Sequence, residues 1–172
     1  MAEIRRVRAD DWEALRDLRL RALDDAPLAF STTVAEARLR DEAWWREAAR
    51  RGAEDNDWAT FVAADAESLV GMASGHYPGE QHHPIDDAEL PSLMQMWVAP
   101  EIRRRGVGRD LVDAVDRWAA ARGAPLLRLG VTQSEIGSVA FYEALGFRDT
   151  GRRDTSVPRL GPVIKMERRC RT

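Results

Sequence analysis

The segment Val98-Ala99-Pro100-Glu101-Ile102-Arg103-Arg104-Arg105-Gly106-Val107-Gly108-Arg109 constrains the fold more than any other stretch of the chain. Leu90 to Val98 is apolar and strand-like, and Pro100 marks its end. After Gly106 the spacing becomes helical: Val107, Leu111, Val115, Trp118 and Ala119 fall on one face, and Gly123 closes the helix. The first turn of a helix leaves backbone amides without intrahelical acceptors, and the helix dipole puts partial positive charge there. Gly106 and Gly108 leave those amides unshielded, so a phosphate can approach them. Arg103, Arg104 and Arg105 add a local positive field. The alternative is a tight strand-to-helix turn with solvated arginines. Neither G-x-x-x-x-G-K-[ST] nor the third glycine of G-x-G-x-x-G is present, so the surrounding pattern has to decide.

That pattern is one of alternating elements. Glu3 to Arg8 reads as an edge strand, and Asp10 or Asp11 as the N-cap of a helix carrying Trp12, Leu15, Leu18 and Leu23 that ends before Pro27. A second helix spans about Asp41 to Arg51 and stops at Gly52; Ala26 to Arg40, with Phe30 and Leu39, reads as either helix or ordered loop. Two strands follow, Ala59 to Ala64 and Ser68 to Tyr77, then a loop from Pro78 to Asp87. Beyond the glycine turn come a strand at Leu126 to Val131, a short helix at Glu135 to Leu145 stopped by Gly146, and strands at Phe147 to Thr150 and Val163 to Glu167. The order implies a mixed α/β sheet with helices on its faces. With 172 residues, no internal repeat and no composition break, one domain over residues 1–172 is expected.

Composition excludes several classes. Hydrophobic residues at 44% and charged residues at 32% rule out a disordered or collagen-like polymer. The net charge of −3 does not suit a chain that holds nucleic acid by its overall field. No apolar run is long enough to span a bilayer, Met1 to Arg6 shows no secretion signal, and Cys170 is the only cysteine; a cytoplasmic protein with neither nucleic-acid nor membrane partners is expected. His82 and His83, with Glu80, Asp86 and Asp87, lack metal-ligand spacing and read as solvated loop, so no metal is expected.

Two motifs carry a resemblance. Arg103-x-x-Gly106-x-Gly108, following Trp97-Val98-Ala99-Pro100, resembles the R/Q-x-x-G-x-G/A signature of the GNAT superfamily of acetyl-CoA-dependent N-acetyltransferases. Ser138-Val139-Ala140-Phe141-Tyr142-Glu143-Ala144-Leu145-Gly146-Phe147 is similar to its second cofactor element. Leu18 to Leu23, Pro27 to Thr32 and Trp44-Trp45 look like the N-terminal half of a common bacterial subgroup, so the resemblance covers nearly the whole chain.

The resemblance implies a mostly antiparallel central sheet flanked by helices, with a splayed strand pair forming an acetyl-CoA cleft. Backbone amides of Arg103, Arg104, Arg105, Gly106, Val107, Gly108 and Arg109 would hold the CoA diphosphate, and the main chain of Met96, Trp97 and Val98 would pair with the pantetheine arm. Ser138, Phe141 and Tyr142 complete the implied cofactor set, with Tyr142 as general acid toward the departing thiolate; its structural alternative is a core aromatic beside Phe141, Leu145 and Phe147. The activity implied is transfer of acetyl from acetyl-CoA to a primary amine of a small molecule or peptide, by direct attack in a ternary complex. The attacking amine needs a base. Many relatives carry a glutamate where this chain has Ser92, so Glu89, His76, Asp86 and Asp87 are the candidates, and Glu135 stands where an asparagine is common. The alternative is a CoA-binding sensor that has lost catalysis, for which Ser92 is the support. Antibiotic, polyamine, amino-acid and protein N-terminal acceptors stay open, as does the oligomeric state, for which the resemblance offers a homodimer because relatives often dimerise.

Overall fold

Successive side chains of a strand point to opposite faces of the sheet, and where one face carries several small residues a helix can lie close against it. The computed structural model describes residues 2–66, 68–78 and 90–171. Its elements are β1 (Glu3–Arg6), α1 (Trp12–Asp25), α2 (Val34–Arg38), α3 (Glu42–Glu54), β2 (Trp58–Asp65), β3 (Ser68–His76), β4 (Ser92–Val98), α4 (Val107–Ala120), β5 (Leu126–Thr132), α5 (Ile136–Ala144), β6 (Arg148–Asp154) and β7 (Val163–Arg169). The strands form one sheet in the order β1-β2-β3-β4-β5-β7-β6. Every neighbouring pair is antiparallel except β4 and β5.

Ala59, Ala63, Gly71, Ala73 and Gly75 share one face of β2 and β3, with Phe61 the one large side chain among them. Their lack of bulk lets α4 lie close: a Cβ on Gly75 would stand 2.5 Å from the Trp118 ring, and one on Gly71 3.1 Å from Leu111. Leu111, Val112, Val115 and Ala119 of α4 are fully buried there, each larger side chain contributing about 1.5–3 kcal/mol by leaving water. Thr60, Val62, Met72 and Ser74 occupy the opposite face, toward α1 and α3.

Several local expectations change in the folded chain. Gly52 does not stop α3, which continues to Glu54. Its missing side chain lets the helix seat against β2, since a Cβ there would be 2.8 Å from both Thr60 and Val7. Asp11 is the residue before α1 but its carboxylate does not cap that helix. It accepts instead from the Arg8 amide (2.7 Å) and the Arg5 guanidinium (2.6 and 3.0 Å), tying β1 to the turn. The ambiguous stretch before α3 contains α2, nucleated by a reciprocal cap: the Glu36 amide donates to Thr33 Oγ1, and the Thr33 amide to the Glu36 carboxylate. The final strands are longer than their hydrophobic pattern, because β6 is an exposed edge strand held by its ladder to β7.

Among the described residues, no helix is long and apolar enough to cross a membrane, and no group of three or more His, Cys, Asp or Glu is placed to hold a metal. His82 and His83, with Glu80, Asp86, Asp87 and Glu89, lie outside the described residues.

Candidate active site

Parallel strands β4 and β5 pair at only two positions, Ser92 with Arg128 and Leu93 with Leu129. A bulge starts the separation. The register against β3 slips between Met94 and Trp97, and Gln95 takes a left-handed backbone with φ of 55°. Beyond it the two strands diverge, opening a small cavity of about 70 Å3 lined by Met94, Gln95 and Met96 on one side and Gly130, Val131 and Thr132 on the other. Glu135, Ser138 and Tyr142 of the α5 segment complete its wall. A second cavity of about 630 Å3 meets it at Ala29, Leu93, Met94, Gln95, Gly130 and Thr132.

The glycine turn sits at the end of β4. Gly106 is the N-cap of α4 at φ 87°, and no side chain caps the helix. A Cβ on Gly106 would meet nothing within 4 Å, so the space beside the helix start is open. Gly108 serves a different purpose: a Cβ there would stand 3.2 Å from both Met96 and Phe141, so its absence lets β4, α4 and α5 converge. The two motifs separated in sequence therefore share one corner of the fold.

Arg103 does not point into that opening. Its Nε donates to the Val98 carbonyl (2.9 Å) and its Nη2 to Asp25 at the end of α1. Trp97 Nε1 donates to the same carboxylate (2.9 Å), and Arg21 donates to Glu101. The turn is thus fastened to α1 by side chains while none of them caps the first-turn amides of α4. Burial would raise the Asp25 pKa, but the hydrogen bonds from Trp97 and Arg103 outweigh it and hold the carboxyl below its ordinary range. Arg104, with φ of 64°, and Arg105 are exposed.

A family model of acetyltransferases, the Acetyltransferase (GNAT) family, matches residues 12–147. The chain belongs to the GNAT family. It is an acetyl-CoA-dependent N-acetyltransferase, with acetyl-CoA as its cosubstrate. Aminoglycoside N(6')-acetyltransferase type 1 of Salmonella typhimurium is 25% identical over 98% of this chain and 97% of its own length. A GNAT acetyltransferase of Streptococcus pneumoniae superposes with a TM-score of 0.82 at 17% identity, covering 99% of this chain and 100% of its own. The yncA protein of Salmonella typhimurium, solved with acetyl-CoA, gives 0.74 at 18% identity, covering 100% and 95%. These likenesses carry the fold. The residues present also fit a CoA diphosphate: the first-turn amides of α4 have no side-chain cap, the space beside Gly106 is open, and β4 and β5 leave two free strand edges nearby.

Tyr142 is buried in a T-shaped aromatic cluster, its ring centroid 5.2 Å from Phe141 and 5.8 Å from Phe147, and it also lines the small cavity. Both readings of this residue meet in one side chain. Burial pushes its phenol above the ordinary value of 10.0, so it stays protonated at neutral pH. Ser138 lines the same cavity; Ser92 and His76 line the larger one. Glu89 lies outside the described residues.

Two cavity residues escaped sequence reasoning. Gln95 lines both cavities at the end of a buried relay: Trp58 Nε1 donates to Thr60 Oγ1 (3.1 Å), the Thr60 and Ser74 hydroxyls share a 2.9 Å bond, and Ser74 Oγ donates to Gln95 Oε1 (3.1 Å). Its signal was a lone amide in the apolar run Leu93-Met94-Gln95-Met96-Trp97. The other is Arg19, an arginine between Leu18 and Leu20 on a helix whose spacing drew attention only to Trp12 and its leucines.

Proposed function

We propose that this GNAT protein transfers the acetyl group to a primary amine of a small molecule, which attacks the thioester directly in a ternary complex. Bound acetyl-CoA supplies the activated acetyl thioester. The amides of Val107, Gly108 and Arg109 hold its diphosphate by charge-assisted hydrogen bonds, each of which contributes about 1.5–3 kcal/mol. Arg103 acts as a positioning residue that fixes the turn to α1, and the free edge of Met96, Trp97 and Val98 holds the extended arm. Tyr142 holds a proton at its hydroxyl for the departing sulfur; its raised pKa makes it a donor and not a base at neutral pH. Of the bases expected from the sequence, His76 lines the larger cavity, from which the acceptor enters.

The observation that carries this reading is the junction of the two cavities at the diverging ends of β4 and β5, one beside Tyr142 and the other large enough for an acceptor. Calorimetry with acetyl-CoA, followed by a thiol-release screen across amine classes, tests it. Binding with thiol release that depends on the amine is expected. Tight CoA binding without thiol release from any amine would favour a sensor.

A further inference from the structure

Arg19 lies on α1 with its guanidinium stacked 4.3 Å over the Phe30 ring, in the wall of the larger cavity. Its Nη1 is buried and has no hydrogen-bond partner. No carboxylate among the described residues contributes to its electrostatics, and burial draws the guanidinium down from 12.5 to about 10. Arg19 is half-buried as a whole; a cation that loses solvent without gaining a counter-ion is costly for a folded chain, and folding ordinarily supplies one from a neighbouring side chain. Here the fold builds around the gap. Arg159 donates to the carbonyls of Pro27 (2.7 Å), Phe30 (2.7 Å) and Ser31 (3.0 Å), and Thr132 Oγ1 donates to Leu28 (2.6 Å). These bonds fix the Pro27 to Ser31 segment, so Phe30 is already in place against Arg19, and Ala29 beside it lines both cavities.

The other described charges around this cavity favour the same sign of ligand. Its acids are Asp154, which accepts from Lys165 at 3.0 Å, and Glu167, 3.9 Å from Arg128. Asp154 is thus committed, and Glu167 is set against a cation, so the described lining carries more positive than negative side chains and offers little to an ammonium-rich acceptor such as the aminoglycosides named for the Salmonella relative.

We infer that the acceptor is a small amine bearing a carboxylate, and that Arg19 is the residue that receives the carboxylate. The inference deepens the acetyltransferase reading and rests on it. A guanidinium suits the role because its planar fork matches two carboxylate oxygens. The amine of the same molecule then lies on the side of the diverging strands.

The test compares amines with and without the carboxylate: free α-, β- and γ-amino acids, their methyl esters, and a polyamine. Each is titrated into the CoA-loaded protein by calorimetry and assayed for thiol release with acetyl-CoA. The wild type is expected to bind and acetylate one or more acids and to discriminate against the matching ester. Arg19→Met, which keeps a flexible apolar contact to Phe30, should lower kcat/KM for the acid by about 10- to 150-fold, mainly through KM. Its activity on the ester, its affinity for CoA and its melting temperature should change little, and Arg19→Lys should restore part of the preference. Esters or the polyamine used as well as acids, no acid bound by the CoA-loaded protein, or an equal loss on all acceptors together with a lower melting temperature would each overturn the assignment. Failure of the wild type to bind CoA would instead remove the acetyltransferase reading beneath it, and the same titrations distinguish the two.

Discussion

Gly106 and Gly123 sit at opposite ends of the region carrying α4 and offer a matched pair for testing the amide cradle. Both have positive φ, 87° and 78°, and a Cβ at either would meet nothing within 4 Å. Alanine at each therefore carries the same backbone penalty of about 1–2 kcal/mol for an L-residue held in a left-handed conformation. In a chain of this size, that lowers the melting temperature by roughly 2–8 °C. The two differ in what lies in front of them. At Gly106 the new methyl, and any relaxation of the turn, falls beside the uncapped first-turn amides. Loss of one charge-assisted bond to a diphosphate would weaken acetyl-CoA binding by about 10- to 150-fold. Parallel thermal melts and calorimetry with CoA on the two variants are expected to give similar destabilisation but a loss of affinity for Gly106→Ala alone. Equal affinities in both variants, or an equal loss in both, would refute the reasoning that these amides hold the cosubstrate.

Tyr142→Phe should keep CoA affinity while lowering kcat by about 100-fold or more, because it removes a proton donor and leaves the aromatic cluster intact; stopped thiol release with normal calorimetry is the readout. The raised phenol pKa also means that Tyr142 should cause no alkaline fall in kcat below about pH 10, as a pH–rate profile can check. Asp116→Ala should destabilise by about 3–5 kcal/mol in urea unfolding, because Asp116 is 1% exposed, 3.0 Å from the buried Arg168, and also accepts from the Arg171 amide. Asp25 has a folded pKa below its unfolded value, so its stabilising contribution is fully present above about pH 3.9 and fades as pH falls through the lower folded value. Asp25→Asn should accordingly flatten the acid limb of a stability-versus-pH curve relative to wild type.

How much of this protein was legible in its sequence follows from the range of the interactions involved. The glycine turn, the amphipathic α4 and the aromatic phrase ending at Gly146 are local signals; each depends on residues within a turn or two, and the two motifs together pointed to the GNAT family. The small residues of β2 and β3 were equally visible but took on meaning only when Trp118 and Leu111 were found against them. Gly52 was misread because a glycine that ends a helix and one that lets a helix touch a strand look alike until Val7 and Thr60 arrive from elsewhere in the chain. The Arg103 side chain, expected to add positive field, is committed to Asp25, 78 residues away, which no local pattern reports. Sequence alone settled where backbone amides would be left open at a helix start, because that is a property of neighbouring residues. Only the tertiary structure decided which residues share the two adjoining cavities, because Arg19 and Phe30 in one and Tyr142 in the other are brought to either side of Gln95 by the divergence of two strands and the placement of a loop held by Arg159.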